Sequence, residues 1–350
     1  MNTVKEFGVF LPVANGGWIV STTTPKLDGG WAQNRDAALL AEEQGLDFVM
    51  SMGKWRGFGG VTDHWGSSLE SVTLMAGIAA LTKRVKIWAT LHAILHNPAV
   101  AAKMIATLDQ ISGGRAGLNI VAGAYRGEFE QLGAWDESLD HDSRYDLTEE
   151  WTTIVKRLWS QPRVDFAGKY FNLKDCVCEP KPIRTPDLIC AGMSARGFEF
   201  SVAHADACFI GGRDVAETRA ASLRARELAA RLGKTIRIYA MCTIIPAASD
   251  AQAEALAKHY RDGLDEGAVL GMLDSYGANL PAGDNAMVAR AKGAFMTHTV
   301  VGSPATCAQQ MEDFMRQGLL DGLMLIFADY REGLIVTGQE ILPPLRRALA

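Results

Sequence analysis

Short apolar runs alternate with longer stretches of helical periodicity along most of the chain. Residues 7–13 form the first apolar run and predict a strand, and residues 34–44 place their apolar side chains on one helical face. The same alternation predicts seven further strands, at residues 47–52, 85–90, 117–122, 188–191, 207–210, 236–245 and 322–327. Helices are predicted between them, among others at residues 70–82, 98–112, 195–204 and 215–232.

Eight strand-then-helix units with mostly short connections favour a (β/α)₈ TIM barrel, an α/β fold, over an open doubly wound sheet. An open sheet of Rossmann type would carry G-x-G-x-x-G after a strand, and this motif does not occur in the sequence. We therefore expect residues 1–350 to form a single domain. Its extra length is expected in insertions near residues 123–143, 162–181 and 263–291.

Composition narrows the functional classes. Hydrophobic residues make up 48% of the chain and charged residues 21%, which is typical of a globular protein with a large core. The net charge is −5, and the basic residues are dispersed, which disfavours nucleic-acid binding. No apolar run reaches the roughly 18 residues of a transmembrane helix, so we expect a cytoplasmic protein.

The strand ends carry the candidate chemistry, because active sites of such barrels lie at the carboxyl ends of the strands. No His-x-His follows the first strand and no G-x-S-x-G occurs, which disfavours a metallohydrolase and a serine hydrolase. We interpret one of His92 and His96 as a pocket histidine and the other as a solvated one, and no metal site is predicted. His64 is interpreted as a loop residue, with a proton-transfer role left open.

Two segments suggest an anion site. Ser194 directly precedes a predicted helix, where it is either a plain N-cap or part of a phosphate site. Arg144 and Tyr145 follow an acidic segment, and they are either phosphate ligands or a solvated helix start. The Ser112–Arg115 segment, SGGR, precedes the fourth strand, and we predict a turn there at the amino-terminal face of the barrel.

These loops resemble those of the bacterial luciferase-like flavin-dependent monooxygenases and, within that family, of the pyrimidine (uracil) monooxygenases of the Rut pathway. The resemblance is dense from about residue 7 to residue 211 and thins afterwards. It rests on seven segments in one order: VFLPVANGGWIVST, SMGKWRGFGG, LESVTLMAGIAALT, ATLDQISGGRAGLNIVAG, EFEQLG, SRYDLTEEW and ICAGMSARG.

The resemblance implies a two-component enzyme that receives reduced FMN from a separate, NAD(P)H-using flavin reductase. Such an enzyme reacts the flavin with dioxygen to a flavin (hydro)peroxide and places one oxygen atom in a small organic substrate, most simply an N-heterocycle. It also implies a homo-oligomer, a dimer or a tetramer. The implied FMN-binding residues are Gly53, Lys54, Asn119, Glu128, Arg144, Tyr145 and Ser194.

Asn119, Thr90 and His92 are the implied catalytic residues, and the substrate pocket is expected to include Met50, Trp65, His92 and Ala124. Two departures concern the substrate. The pyrimidine enzymes read T-G-W where this chain reads Ala122-Gly123-Ala124, and they have two alanines where it has Leu91-His92. Sulfone, sulfonate or halogenated substrates, a deazaflavin-dependent dehydrogenase and a non-catalytic flavin-binding protein stay open as alternatives.

Overall fold

The computed structural model describes residues 4–123, 125–212, 214–277 and 290–350. Its strands are β1 (Glu6–Phe10), β2 (Phe48–Met50), β3 (Lys86–His92), β4 (Ala116–Val121), β5 (Val164–Ala167), β6 (Asn172–Cys176), β7 (Asp187–Cys190), β8 (Ala207–Phe209), β9 (Arg237–Pro246), β10 (His298–Gly302) and β11 (Gly322–Phe327). Its first helices are α1 (Trp31–Glu43), α2 (Ser71–Leu81), α3 (Pro98–Ser112), α4 (Arg126–Glu130), α5 (His141–Ser160) and α6 (Ala195–His204). They are followed by α7 (Val215–Arg231), α8 (Asp250–Asp262), α9 (Glu266–Gly277), α10 (Pro304–Gly318), α11 (Tyr330–Val336), a π-helical turn (Thr337–Ile341) and α12 (Leu342–Leu349).

Eight of these strands close into a parallel barrel in the order β1-β2-β3-β4-β7-β8-β9-β11, and β11 pairs back onto β1. Helices lie between the consecutive barrel strands and cover the outside. The predicted (β/α)₈ fold is therefore confirmed. All eight strands that the sequence predicted are the barrel strands.

Outside the expected insertions, the described residues form one strand that was not predicted. β10 pairs with the second half of β9, from Cys242 to Pro246, whereas the first half of β9 pairs with β8. The sheet thus divides along β9. The run HTVVG is only five residues long and has no clear hydrophobic periodicity, so no strand was predicted there.

The helix ends follow the local signals in the sequence. Glu70 precedes α2, and its carboxylate accepts hydrogen bonds from the second and third backbone N–H groups of that turn. Asn97 caps α3 before Pro98, and Gly113 ends α3 with a left-handed φ of 70°. Arg115 then donates to the carbonyl oxygens of Ala79, Thr82 and Val85, so the SGGR segment is the predicted structural turn.

Two layers of side chains fill the lower barrel. Glu6, Lys86, Asp187 and Arg237 come from alternate strands and meet in ion pairs, which is possible only across the barrel interior. Above them, Trp88 stacks on the ring of Phe48 at a centroid distance of 4.1 Å. The aromatic layer that we call the floor consists of Phe48, Trp88, Phe209 and Tyr239.

Two differences from the predicted boundaries bear on the site. β1 ends at Phe10, before Pro12, which lacks the N–H of a ladder. β3 continues two residues beyond its predicted end, so His92 lies on the strand. The expected insertions contain the short helix α4, the β5-β6 hairpin and helix α9. Among the described residues, no helix has the length and apolar character needed to cross a membrane.

Candidate active site

Thr90 and Asn119 meet on the inner wall of the barrel, at paired positions of β3 and β4. The Thr90 hydroxyl donates to the carbonyl oxygen of Ser51 at 2.6 Å, and Asn119 Nδ2 donates to Thr90 Oγ1 at 3.1 Å. Asn119 Oδ1 is buried and has no hydrogen-bond partner among the described residues. A buried carbonyl oxygen without a donor is costly, so this atom marks a position at which a ligand N–H or O–H group can bind.

The start of α2 holds this pair in place. Ser71 is the first residue of α2, and its Oγ lies 2.6 Å from Ser51 Oγ and accepts from the backbone N–H of Thr90 at 2.8 Å. These serines were not singled out in the sequence, because Ser51 belongs to no nucleophile motif and a serine at a helix start, such as Ser71, is an ordinary residue there. Their contacts fix the ends of β2 and β3 relative to each other.

His92 lies two residues beyond Thr90, so both side chains project from the same face of β3. It is 4% exposed, and its ring contacts the edge of Phe129 at a centroid distance of 5.1 Å. Burial, aided by the nearby His96 and Lys54, lowers the pKa of His92 to about 3, so the imidazole is uncharged. His96 is half-buried, and its Nδ1 lies 3.0 Å from the His92 carbonyl oxygen.

Lys54 and Glu128 form a buried ion pair. Lys54 Nζ lies 3.2 Å from Glu128 Oε2, and both side chains are 5% exposed. The other carboxylate oxygen accepts from the backbone N–H of Trp55, while Nζ lies 4.5 Å from the ring centroid of Phe58 and 4.7 Å from that of Tyr125. Burial lowers the pKa of Lys54, and Glu128 opposes that shift. The pair ties the loop after β2 to α4.

Arg144 and Tyr145 are the fourth and fifth residues of α5, which begins at His141. Arg144 is buried, which excludes the solvated helix start that the sequence left open. Its Nε donates to the Gly123 carbonyl oxygen at 3.0 Å and its Nη1 to that of Leu139 at 2.9 Å. Within the described chain, its Nη2 has no hydrogen-bond partner.

Ser194 caps α6 and contacts Tyr145. Its Oγ accepts from the backbone N–H of Gly197 at 3.1 Å and lies close to the Tyr145 hydroxyl, whose pKa burial raises to about 12. A β-carbon at Gly197 would collide with the Tyr145 hydroxyl. The N-cap interpretation of Ser194 is thus confirmed, and its contact with a phosphate stays a prediction.

The expected substrate-pocket residues differ in position. Met50 shares the inward face of β2 with Phe48, which places it directly above the floor. Trp65 is buried in the loop before α2, where Nε1 donates to the Gly17 carbonyl oxygen at 2.5 Å. Ala124 lies outside the described residues. Gly53 adjoins both His92 and Thr90, because a β-carbon there would lie 2.9 Å from His92 Cε1.

His64 is the residue that sequence reasoning placed least well. It lies in a loop, as predicted, but it is fully buried, and neither ring nitrogen has a hydrogen-bond partner among the described residues. Burial lowers its pKa to about 4, although Asp265 opposes the shift. Its neighbours include Gly16, and no local pattern around residue 64 signals such a distant contact.

The structure brings the predicted residues together at the carboxyl ends of β2, β3, β4 and β7. Phe129 follows Glu128 and contacts His92, so the ion pair adjoins the Thr90 and Asn119 wall. Gly123, the acceptor for Arg144, lies just after β4, which carries Asn119. No three His, Cys, Asp or Glu side chains of the described residues are placed to hold a metal ion.

Known proteins resemble this chain in sequence and in fold. The family model described as luciferase-like monooxygenase matches residues 5–321. The pyrimidine monooxygenase RutA of Methylorubrum extorquens is 37% identical over 349 residues, which cover 97% of this chain and 93% of that protein. Riboflavin lyase RcaE, solved with modified FMN and riboflavin, superposes with a TM-score of 0.87 at 21% identity, covering 99% of this chain and 92% of that one.

The long-chain alkane monooxygenase LadA has the same fold, with a TM-score of 0.85 at 20% identity, and the match covers 99% of this chain and 92% of that one. At such low identity the two solved structures establish the fold alone. The family model and RutA span nearly the whole sequence, including all the strand ends described above. This chain therefore belongs to the luciferase-like monooxygenase family.

Proposed function

We propose that this protein is a two-component monooxygenase that uses reduced FMN and dioxygen to oxidise a small, uncharged N-heterocycle of the pyrimidine type. The supporting observation is the unpaired Oδ1 of Asn119, which is buried beside Thr90 above the aromatic floor. The family and the 37% identity to a pyrimidine monooxygenase support the reaction class. The whole chain is proposed to work as one domain in the cytoplasm.

The inner wall suits a reduced flavin ring. Such a ring presents N–H donors and carbonyl acceptors along one edge, and Asn119 Oδ1 is an acceptor that lacks a donor. When bound, FMN supplies the reaction with dioxygen that delivers the oxygen atom, chemistry that protein side chains lack. The role of Asn119 and Thr90 is to orient the ring and to offer polar groups that need no reorganisation during the reaction.

The other end of the site suits a phosphate. Arg144 is held by two carbonyl oxygens, which leaves Nη2 available for a charge-assisted hydrogen bond. Tyr145 follows it on α5, and Ser194 lies next to Tyr145 as the N-cap of α6, so the two residues add two hydroxyl groups. We propose that these three residues bind the FMN phosphate, and that Gly53, Lys54 and Glu128 shape the wall along the rest of the cofactor.

The floor keeps water from the site. Phe48, Trp88 and Tyr239 close the barrel below Thr90, and the ion-pair layer lies beneath them. A dry site limits the loss of activated oxygen to water, a side reaction that oxygenases must avoid. Met50 and Trp65 are proposed to line the same cavity for the substrate.

We propose that a separate flavin reductase consumes NAD(P)H and supplies the reduced FMN. The sequence lacks the G-x-G-x-x-G fingerprint of a dinucleotide-binding domain, so the nicotinamide cofactor has no recognisable site in this chain. The reductase then transfers flavin by diffusion or by transient contact.

We also propose that the protein is a homo-oligomer. Helices α2 and α3 form an apolar groove of about 620 Å³ lined by Val72, Ala76, Val100, Met104, Leu108 and Ile111. Val100 and Ile111 are 56% and 45% exposed, a patch typical of an interaction surface. Val100→Asp is expected to reduce the mass measured by light scattering to that of one chain, whereas an unchanged mass would place any interface elsewhere.

Isotope incorporation tests the proposed reaction. The enzyme is supplied with reduced FMN, labelled dioxygen and, in separate reactions, uracil, 2-pyridone or hydantoin, and each product is analysed by mass spectrometry. We expect one labelled oxygen atom in the product of at least one ring compound, together with loss of that compound. Oxygen consumption that yields only hydrogen peroxide with every ring would contradict the proposal.

A further inference from the structure

His92 is a buried polar side chain that no interaction within the described chain accounts for. No described residue forms a hydrogen bond with either ring nitrogen of His92. The imidazole packs against the ring of Phe129 and against the backbone at Gly53. Neither ring nitrogen is among the fully buried polar atoms that lack a partner, so both retain accessible surface, where a polar group of a ligand can reach them. The imidazole is therefore available to form a hydrogen bond with a bound ligand.

The strand fixes its height in the barrel. Trp88, Thr90 and His92 are successive inward-facing residues of β3, and each step of two residues spans roughly 6.6 Å. Trp88 belongs to the floor, and Thr90 contacts Asn119. His92 is thus one step nearer the mouth than the Thr90 and Asn119 pair, at the level of a molecule that lies above that pair.

Its surroundings hold the ring in one place. Phe129 meets it edge-on at an interplanar angle of 70°, and a β-carbon at Gly53 would come within 3.2 Å of His92 Nδ1. Packing on two sides restricts rotation, and preorganised polar groups discriminate between ligands better than mobile ones do.

The charges nearby favour a neutral ligand. Burial keeps the imidazole uncharged, so it has one N–H donor and one nitrogen acceptor. Lys54 is close enough to disfavour protonation of His92, but its ammonium group is paired with Glu128. A sulfonate or carboxylate at His92 would therefore meet no uncompensated cation among these groups, whereas an amide finds both hydrogen-bonding partners.

We propose that His92 is a specificity-determining residue that hydrogen-bonds the carbonyl oxygen or ring N–H of a neutral cyclic amide and selects it against anionic substrates. This inference rests on the proposed function, since it concerns the molecule that is oxidised. It assigns His92 to substrate selection and leaves FMN binding to other residues.

The test compares His92→Phe, which keeps a planar ring without nitrogens, with the wild-type enzyme. His92→Ala is a second variant in case the larger ring disturbs the loop, and His259→Phe, at an exposed position on α8, is the matched control. Enzyme loaded with oxidised FMN is titrated with uracil, 2-pyridone, hydantoin, methanesulfonate and benzoate, and the flavin absorbance reports binding. FMN affinity and product formation are measured for each variant.

We expect at least one cyclic amide to bind the wild-type enzyme and neither anion to do so. His92→Phe and His92→Ala are expected to weaken that binding about 10- to 100-fold, as for an unpaired polar group, with FMN affinity unchanged. Equal binding by the wild type and both variants, binding of the anions in preference, or no binding of any cyclic amide would overturn the inference.

The two proposals fail in different ways. If the wild-type enzyme binds FMN and labels a product but the His92 variants keep the same preference, only the role of His92 is wrong. If FMN does not bind, or if no ring compound acquires label, the proposed function itself is wrong, and the inference goes with it.

Discussion

His92 fills the space that a side chain at position 53 would need. A β-carbon on Gly53 would lie 2.9 Å from His92 Cε1 and 3.2 Å from Nδ1, closer than folded proteins tolerate without a shift. The loop after β2 therefore approaches β3 only because residue 53 has no side chain. Sequence and packing thus couple a glycine on one loop to a polar residue on the neighbouring strand.

Gly53→Ala should lower the free energy of unfolding by about 1 to 3 kcal/mol, the usual cost of overpacking a filled site. The same substitution in a His92→Ala background should cost much less, because the imidazole is gone. Thermal or denaturant unfolding of the four proteins measures this coupling. Additive effects of the two substitutions would show that the residues do not contact each other.

Asn119→Ala should abolish or strongly reduce substrate oxidation while FMN still binds. The substitution removes both the unpaired Oδ1 and the donor to Thr90, so the ring loses its fixed polar partner. Thr90→Ala should have a smaller effect in the same direction, since it leaves the amide free to rotate. The measurements are labelled-product formation and FMN titration; unchanged oxidation in both variants would show that the oxygen site lies elsewhere.

Arg144→Ala should weaken FMN binding by roughly 1.5 to 3 kcal/mol, as expected for a lost hydrogen bond to a charged group. Riboflavin, which lacks the phosphate, provides the control ligand, and its affinity should change little. Arg144→Lys keeps the charge but loses the fork and should fall between the two. A wild-type enzyme that binds riboflavin as tightly as FMN would contradict the phosphate role.

Glu128→Gln should destabilise the protein by about 3 to 5 kcal/mol, because it leaves the Lys54 ammonium buried without a counter-charge. The double variant Lys54→Met with Glu128→Gln should recover much of that loss. Lys258→Met, which breaks an exposed i,i+4 pair with Asp262, is the control and should cost less than 1 kcal/mol by the usual range for surface pairs. Denaturant unfolding distinguishes these values.

Stability should fall as the pH drops below the ordinary histidine pKa. His64 has a folded-state pKa of about 4, against 6.5 when it is exposed in the unfolded chain. Between pH 6.5 and 4 the unfolded chain therefore binds a proton that the folded protein does not, and the free energy of unfolding decreases as the pH falls. Each such histidine contributes up to about 1.4 kcal/mol per pH unit. The buried His92 and His298 act in the same direction.

The contribution of His64 can be isolated. The melting temperature of His64→Phe should decrease less between pH 7 and pH 5 than that of the wild type, and His259→Phe, at an exposed position, should match the wild type. An identical pH dependence in His64→Phe and wild type would mean that residue 64 titrates normally in the folded protein.

Most of the fold could be predicted because its signals are local. A buried parallel strand is a run of apolar residues, and the caps at Glu70, Asn97 and Gly113 act within one helical turn. β10 was not predicted because it is short and pairs with the end of β9, a strand that already has two partners. Its position depends on how the barrel divides, which no local pattern records.

The candidate site could be predicted only as a set of residues. Motifs identified Lys54 and Glu128, yet their pairing joins positions 74 residues apart, and nothing near either one signals it. The missing partner of Asn119 Oδ1 and the burial of His64 likewise depend on the tertiary packing of several loops. Sequence motifs therefore identified several residues of the site, whereas the contacts between those residues could be read only from the structure.

The packed lower half of the barrel has a consequence for the order in which molecules bind and leave. With Glu6, Lys86 and the rings above them occupying the axis, any molecule that binds beside Thr90 and Asn119 has to enter and leave at the opposite end of the barrel. A large molecule bound at the rim would then block access to the space beneath it. Smaller molecules would have to enter before it binds or pass along its edge. In a barrel that is open at one end only, the order in which molecules bind and leave can limit the rate of turnover as much as the chemical step does.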